Sequence, residues 1–176
     1  MKLKNILKNQ LHNGGNQFYI NMLDVSCIII NYNTSNYTFE AVRSLYETHK
    51  NNLNFEIIVV DNASKKDDYT NLKSKLDNLH KNNLQLIRST INTGFGGGNM
   101  LGVSNASPTK YYAFINNDTL QVSEYCLKYL MEFLEAQPQA GLCSPQMVDE
   151  HKNFRVTIDH FSSLQREILR RPFLET

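Results

Sequence analysis

The stretch VSCIIINYN, residues 25–33, decides the fold. Five of its first six residues are apolar and four are β-branched, a run without the sustained alternation that a half-solvated strand shows. A short continuous run of this kind is the pattern of a strand covered on both faces. It stops at the turn-prone Asn31-Tyr32-Asn33. EIIVV at 56–60 repeats the pattern and stops at Asp61-Asn62-Ala63-Ser64, and YYAFI at 111–115 stops at Asn116-Asn117-Asp118-Thr119. LQLIR at 84–88 alternates instead, which places it nearer a sheet edge. Residues 141–148 read as a fifth strand.

Helical spacing fills the intervals. Across residues 37–49, Ala41, Val42, Leu45 and Tyr46 share one face, with Ser35 or Asn36 as cap. Residues 66–80 carry a thin stripe at Leu72, Leu76 and Leu79, and a short helix spans 100–107. Residues 123–136 place Leu127, Leu130, Met131 and Leu134 inward, with Ser123 as cap and Pro138 ending the run. Strands alternating with helices imply right-handed βαβ units: a Rossmann-like, three-layer α/β/α domain with a mostly parallel sheet.

The chain has 176 residues, 41% hydrophobic and 20% charged, which suits one domain with a sizeable core. Residues 1–21 are polar and asparagine-rich and read as a loosely ordered leader, so the folded part is expected over 22–176. The net charge of +1 leaves no electrostatic footprint for nucleic acid. No apolar stretch approaches the ~18 residues of a membrane span, and residues 1–10 lack the apolar core of a secretory signal. Cys27, Cys126 and Cys143 are odd in number and widely spaced, which excludes a disulfide framework or a structural zinc site. Cys27, inside the first apolar run, reads as a buried thiol, and a reducing cytoplasm fits. His12, His49, His80, His151 and His160 form no ligand set and read as surface residues. Arg166, Arg170 and Arg171, with Phe161, Leu164, Ile168 and Leu169, make a short basic amphipathic segment over 161–171. It reads as a solvated helix face, with peripheral contact to an anionic membrane as the alternative.

In such sheets polar ligands bind beyond the carboxyl ends of the strands, where the strand order reverses. With the order 3-2-1-4, Tyr32, Asn33, Asp61, Asn62, Asn116, Asn117 and Asp118 converge on one rim. Each piece also has an ordinary reading. Asp61-Asn62-Ala63-Ser64, taken alone, is turn chemistry. Tyr32 either stacks on a base or packs against the sheet. Asn116-Asn117-Asp118-Thr119 is either a helix-entry turn or the place where one carboxylate meets a hard cation. Four of the eight glycines fall at Gly94, Gly96, Gly97 and Gly98, in a loop that is either a mobile connection or a backbone cradle for phosphate or sugar.

The blocks VSCIIINYN (25–33), EIIVVDNAS (56–64), NTGFGGGNMLG (92–102) and YYAFINNDT (111–119), in this order and spacing, resemble family-2 glycosyltransferases. These have the GT-A nucleotide-diphospho-sugar transferase fold, and the similarity is strongest to the rhamnosyltransferase-like branch. The resemblance implies that Tyr32 and the Asp61-Asn62 pair hold the nucleotide base and ribose. It places Gly94, Phe95, Gly96, Gly97 and Asn99 against the nucleotide or donor sugar, and Asp118 on a Mg2+ or Mn2+ ion that bridges the diphosphate. The implied donor is a UDP-, dTDP- or GDP-sugar. The implied acceptor is a saccharide or lipid-linked hydroxyl of bacterial surface-polysaccharide synthesis, at the inner membrane face.

The chain departs from the family pattern in three places. The DxD motif reads Asn116-Asn117-Asp118, Met100 replaces a second asparagine, and the catalytic carboxylate of the acceptor half is expected beyond Thr176. Asp149, Glu150 and Asp159 lie too early to match it. The implied activity is therefore inverting sugar transfer, with this chain holding the donor. Two rivals follow: an assembly or regulatory module that kept the fold, and a dinucleotide-binding oxidoreductase domain prompted by Gly94-x-Gly96. The latter fingerprint belongs after the first strand of its unit, whereas these glycines follow the third. An uncovered apolar sheet face also leads to an expectation of self-association.

Overall fold

The computed structural model describes residues 22–48 and 53–155; the leader (1–21), His49 and the 161–171 segment, with His160 and Asp159, lie outside them. The chain divides into two compact units, Met1–Tyr125 and Cys126–Thr176.

In the first unit, β1 (Leu23–Asn31), β2 (Phe55–Asn62), β3 (Leu84–Ser89) and β4 (Thr109–Ile115) form one sheet in the order β3-β2-β1-β4, the expected order. Every neighbouring pair is parallel. The two strands with continuous apolar runs are the central pair. Ile28, Ile29, Ile57, Ile58, Val59 and Val60 are fully buried, each contributing roughly 1.5–3 kcal/mol of hydrophobic stabilisation. The alternating β3 is an edge strand, and β4 forms the other edge, with Tyr112 and Phe114 exposed. Cys27 is buried, and its desolvation, with Glu56 nearby, pushes the thiol pKa up to about 12.

Helices α1 (Ser35–Thr48), α2 (Lys66–Asp77) and α3 (Gly94–Asn105) supply the two outer layers. Ala41, Val42 and Leu45 of α1 and Leu72 and Leu76 of α2 are buried, as their spacing predicts. Asn31, on one face of β1, bonds to Thr38 of α1 and Asp68 of α2, so these two helices share that face. A Cβ built on Gly98 or Gly102 of α3 would meet Ile30 or Ile28, which project from the opposite face of β1.

The structure corrects four expectations, the last of them in the second unit. The glycine-rich stretch is not a loop before a helix at 100–107: it is the first turn of α3, which begins at Gly94. Close packing accounts for some of its glycines and for Gly102 further along: a Cβ on Gly97 would lie 2.5 Å from Thr93 Cβ, one on Gly98 3.1 Å from Ile30 Cδ1 and one on Gly102 2.5 Å from Ile28 Cγ2, whereas Gly94 and Gly96 face open space. Neither Ser35 nor Asn36 caps α1. Ser35 is already helical, and its N–H is accepted by Asp68 Oδ1 at 3.0 Å. Residues 141–148 form no strand among the described residues. Pro145 lacks a ladder donor, Leu142 is exposed, and only an isolated antiparallel bridge joins Val148 to Phe154 around a turn closed by Asp149.

The second unit contains α4 (Cys126–Ala136), which starts after rather than at Ser123. Leu127 is buried, and Leu130, Met131 and Leu134 are partly buried. Pro138 follows the last turn. No helix among the described residues is long and apolar enough to cross a membrane.

Candidate functional site

The parallel register brings the strand ends level. Asn31 pairs with Asp61, Asp61 with Arg88, and Ile29 with Ile115, so the residues after Ile115 leave the sheet beside Asn31. The chain then turns sharply after β1 and β2, with Asn33 at φ 56° and Ala63 at φ 65°. Asparagine tolerates this left-handed conformation; alanine does so at a cost that the surrounding bonds must offset. Those bonds knit the two turns together. Asn33 N–H donates to Ser64 Oγ at 2.9 Å, and Lys65 N–H donates to Asn33 Oδ1 at 2.8 Å.

Above the strand ends lies a cavity of about 440 Å³. Tyr32, Asn62, Gly94, Phe95, Asn116, Asn117 and Asp118 line it, together with Ile30, Thr34, Asn92 and Ile115. Tyr32 and Phe95 are half or more exposed. Asn62 is almost fully buried and organises the loop before α3: its Nδ2 donates to Asn92 Oδ1 and Gly94 O, and its Oδ1 accepts from Thr93 N–H. Gly94, at φ 71°, needs the freedom of glycine to open the helix from that loop.

Five of the expected site residues do not line the cavity. Asn33 ties the two turns. Gly96 faces open space, Gly97 abuts Thr93, and Asn99 is buried within α3, its Nδ2 donating to Phe95 O. Asp61 lies fully buried behind the rim: its Oδ1 accepts from Asn31 Nδ2 at 2.9 Å, and its Oδ2 has no hydrogen-bond partner. Arg88 Nε stands 3.5 Å from that oxygen, and the Arg88 guanidinium lies 4.0 Å over the Tyr69 ring.

Asp118 is the sole carboxylate and no Lys or Arg is present among the lining residues. The described residues contain no group of three or more His, Cys, Asp or Glu that would hold a metal ion unaided. The donor set fits a hard cation such as Mg2+ or Mn2+ only where ligand oxygens complete its shell, which is how Mg2+ is commonly held against phosphates.

Arg88, Thr34, Thr38 and Asp68 carry the site without having stood out in the sequence. Arg88 closes an edge strand, and Asp68 sits in the first turn of α2, where an acidic residue is unremarkable. Asp68 accepts from Asn31 Nδ2 and from Ser35 N–H. Burial pushes its carboxyl up, but these bonds outweigh that and hold it below the usual 3.8. A depressed folded-state pKa stabilises the fold above the unfolded value, and the contribution disappears as pH falls through the depressed value. Asp68→Asn is therefore expected to lower stability by about 1–2 kcal/mol at pH 7. The gap from the unsubstituted protein narrows as pH drops below 3.8, as read from denaturant melts at pH 7 and pH 3.

The fold has solved counterparts. The first is S. aureus TarS (residues 1–349), with a TM-score of 0.54 and 21% identity over 70% of this chain and 39% of that one. The second is the mannosyltransferase PcManGT from Pyrobaculum calidifontis, in complex with GDP-Man and Mn2+, with a TM-score of 0.60 and 20% identity over 76% of this chain and 39% of that one. The chain thus spans about two-fifths of each, and at these identities the likeness establishes the GT-A fold. No curated protein sequence matches the chain. The family model described as glycosyl transferase family 2 matches residues 26–175, from β1 through all four strand ends, and on that match the chain belongs to glycosyl transferase family 2.

Proposed function

We propose that this chain is the donor-binding part of an inverting glycosyltransferase that takes a nucleotide-diphospho-sugar with a divalent cation. The observation that carries the reading is the cavity itself. It has an exposed aromatic pair at Tyr32 and Phe95, amides at Asn62, Asn92, Asn116 and Asn117, one carboxylate at Asp118, and no basic residue. A diphosphate entering such a cavity needs a cation to meet Asp118 without repulsion. When bound, Mg2+ or Mn2+ neutralises charge on the departing nucleoside diphosphate. The GDP-Man and Mn2+ held by the similar mannosyltransferase support the same pairing here.

The residues divide the ligand between them. Tyr32 offers a face for the base. Asn62 and Asp61 are assigned to the base and ribose end, Asn62 at the cavity and Asp61 from behind it, where its Oδ2 faces Arg88 Nε at 3.5 Å. The N-terminal turn of α3 borders the cavity at Gly94 and Phe95, and a helix N-terminus is a setting that favours phosphate. The Asn116-Asn117-Asp118 form of the motif supports the rhamnosyltransferase-like branch, with rhamnose as the transferred sugar and a saccharide or lipid-linked hydroxyl as acceptor. The acceptor's base is assigned outside the described residues, and the 161–171 segment is read as a solvated helix face, with peripheral contact at the inner membrane face as its alternative. Exposed Tyr112 and Phe114 on open edge β4 support self-association. A monomer at all concentrations in sedimentation removes that part.

Calorimetry with UDP, dTDP, GDP and NAD, each with and without Mn2+, tests the reading. One nucleoside diphosphate is expected to bind much more tightly with metal than without it, and NAD not at all. Tyr32→Ala is expected to weaken that binding by about tenfold, since stacking a base on an aromatic ring contributes roughly 1–3 kcal/mol. Tight NAD binding, or no response to any of the three diphosphates, overturns the assignment.

A further inference from the structure

Asn117 occupies the middle position of the motif, and its amide is not free to turn. Asn117 Nδ2 donates to Thr34 Oγ1 at 2.6 Å and to Thr38 Oγ1 at 2.9 Å. Thr38, fully buried in the first turn of α1, donates in turn to Asn31 Oδ1 at 2.8 Å. Asn31, also fully buried, shares the two hydrogens of its Nδ2 among three acceptors, Asp61 Oδ1 at 2.9 Å, Asp68 Oδ2 at 2.9 Å and Ser64 Oγ at 3.0 Å. The direction of donation is therefore consistent from end to end. It runs from Asn117 through a threonine hydroxyl and the Asn31 amide to two carboxylates.

Such a chain has two physical consequences. Hydrogen bonds aligned in one sense polarise one another, and the terminal carboxylates supply the charge that fixes the sense. With both of its N–H hydrogens committed to threonines, Asn117 offers the cavity only its carbonyl oxygen, an acceptor and a ligand type suited to hard cations. The adjacent Asp118 lies on the same turn, closed by Thr119 N–H donating to Asn116 O at 3.3 Å.

We propose that Thr38 and Asn31 are positioning residues: the relay Asn117–Thr38–Asn31–Asp61/Asp68 holds the Asn116–Asp118 turn so that Asp118 and the Asn117 carbonyl face the cation and diphosphate together. The proposal rests on the donor-site reading above and adds to it the reason why a motif with a single carboxylate still suffices. The amide at 31 is specific to this role. Aspartate there would lose the donors and place a third carboxylate against Asp61 and Asp68, while leucine would remove the acceptor for Thr38 and leave Asp61 with Arg88 alone and Asp68 with the Ser35 N–H.

Thr38→Val removes the hydroxyl and keeps the shape; Thr38→Ser keeps the hydroxyl. The probe is the nucleoside diphosphate that binds the unsubstituted protein, titrated calorimetrically with and without Mn2+, together with the electron paramagnetic resonance of bound Mn2+. Thr38→Val is expected to lower the Mn2+-dependent increment in affinity about tenfold and to broaden the Mn2+ signal, with metal-free binding unchanged. Thr38→Ser is expected to restore both. Thr38→Ala, which also removes the hydroxyl, is expected to reproduce the loss should Thr38→Val fail to fold. An intact Mn2+ increment in whichever of these folds overturns the proposal alone, as does an equal loss with and without metal. An unsubstituted protein that shows no Mn2+-dependent binding overturns the donor-site reading and the proposal with it.

Discussion

Asp118→Ala is expected to reduce Mn2+-dependent binding of the nucleoside diphosphate by about a hundredfold, or roughly 2.7 kcal/mol, and to leave the melting temperature unchanged within about 1 °C. The two halves of that expectation have separate causes. Asp118 is exposed, makes no ion pair among the described residues, and sits in a turn closed by backbone and threonine bonds to Asn116 O rather than by its own carboxylate. Removing it therefore costs the fold almost nothing. For the ligand it is the only lining carboxylate, in a cavity without a lysine or arginine to take over the diphosphate charge. Asn116→Asp tests the same electrostatics in the opposite direction. A second carboxylate at a lining position is expected to tighten Mn2+ about tenfold, since ligand charge count sets the affinity of oxygen sites. Unchanged metal-dependent binding in Asp118→Ala would remove the cation from the assignment, because no other lining residue is charged.

The contrast between these residues also shows what could be read in advance. The central strands announced themselves because a strand covered on both faces has no polar side to display, and VSCIII and EIIVV carry one polar residue each, Ser26 and Glu56, which bond to each other. The site's rim was legible for the same reason: an apolar run must end where the strand emerges, and three runs ended in asparagine and aspartate. The interior of the site was not legible. Asp68 caps a helix 33 residues before it, and Thr38 relays a bond across 79 residues to Asn117. Such bonds depend on the register Asn31↔Asp61, which no local pattern encodes. The glycines of α3 misled for a related reason. Glycine is a poor helix former, so four of them read as a loop. Tertiary packing overrides that local preference: α3 approaches β1 so closely that a Cβ at 102 would stand 2.5 Å from Ile28 and one at 98 would press on Ile30 at 3.1 Å.

That override makes the second large prediction. Gly102→Val is expected to destabilise the fold by roughly 3 kcal/mol or more, a large part of the ~5–15 kcal/mol that holds a typical domain together. A Cβ at Gly102 would stand 2.5 Å from Ile28 Cγ2 and 3.3 Å from Ile28 Cγ1, and Ile28 is fully buried in a central strand with no room to yield. Gly96 is the control within the same helix. A Cβ there meets nothing within 4 Å, so Gly96→Ala is expected to stabilise by about 0.5–1 kcal/mol through helix propensity alone. Gly102→Ala lies between, gaining the same propensity and losing more to the collision. Combining it with Ile28→Ala is expected to cost less than the sum of the two single changes, because the second removes the atoms the first strikes. Urea melts of these variants measure this directly. If Gly102→Ala and Gly96→Ala stabilise alike, α3 does not press on β1 at Gly102, and close packing is not the reason for a glycine at that position.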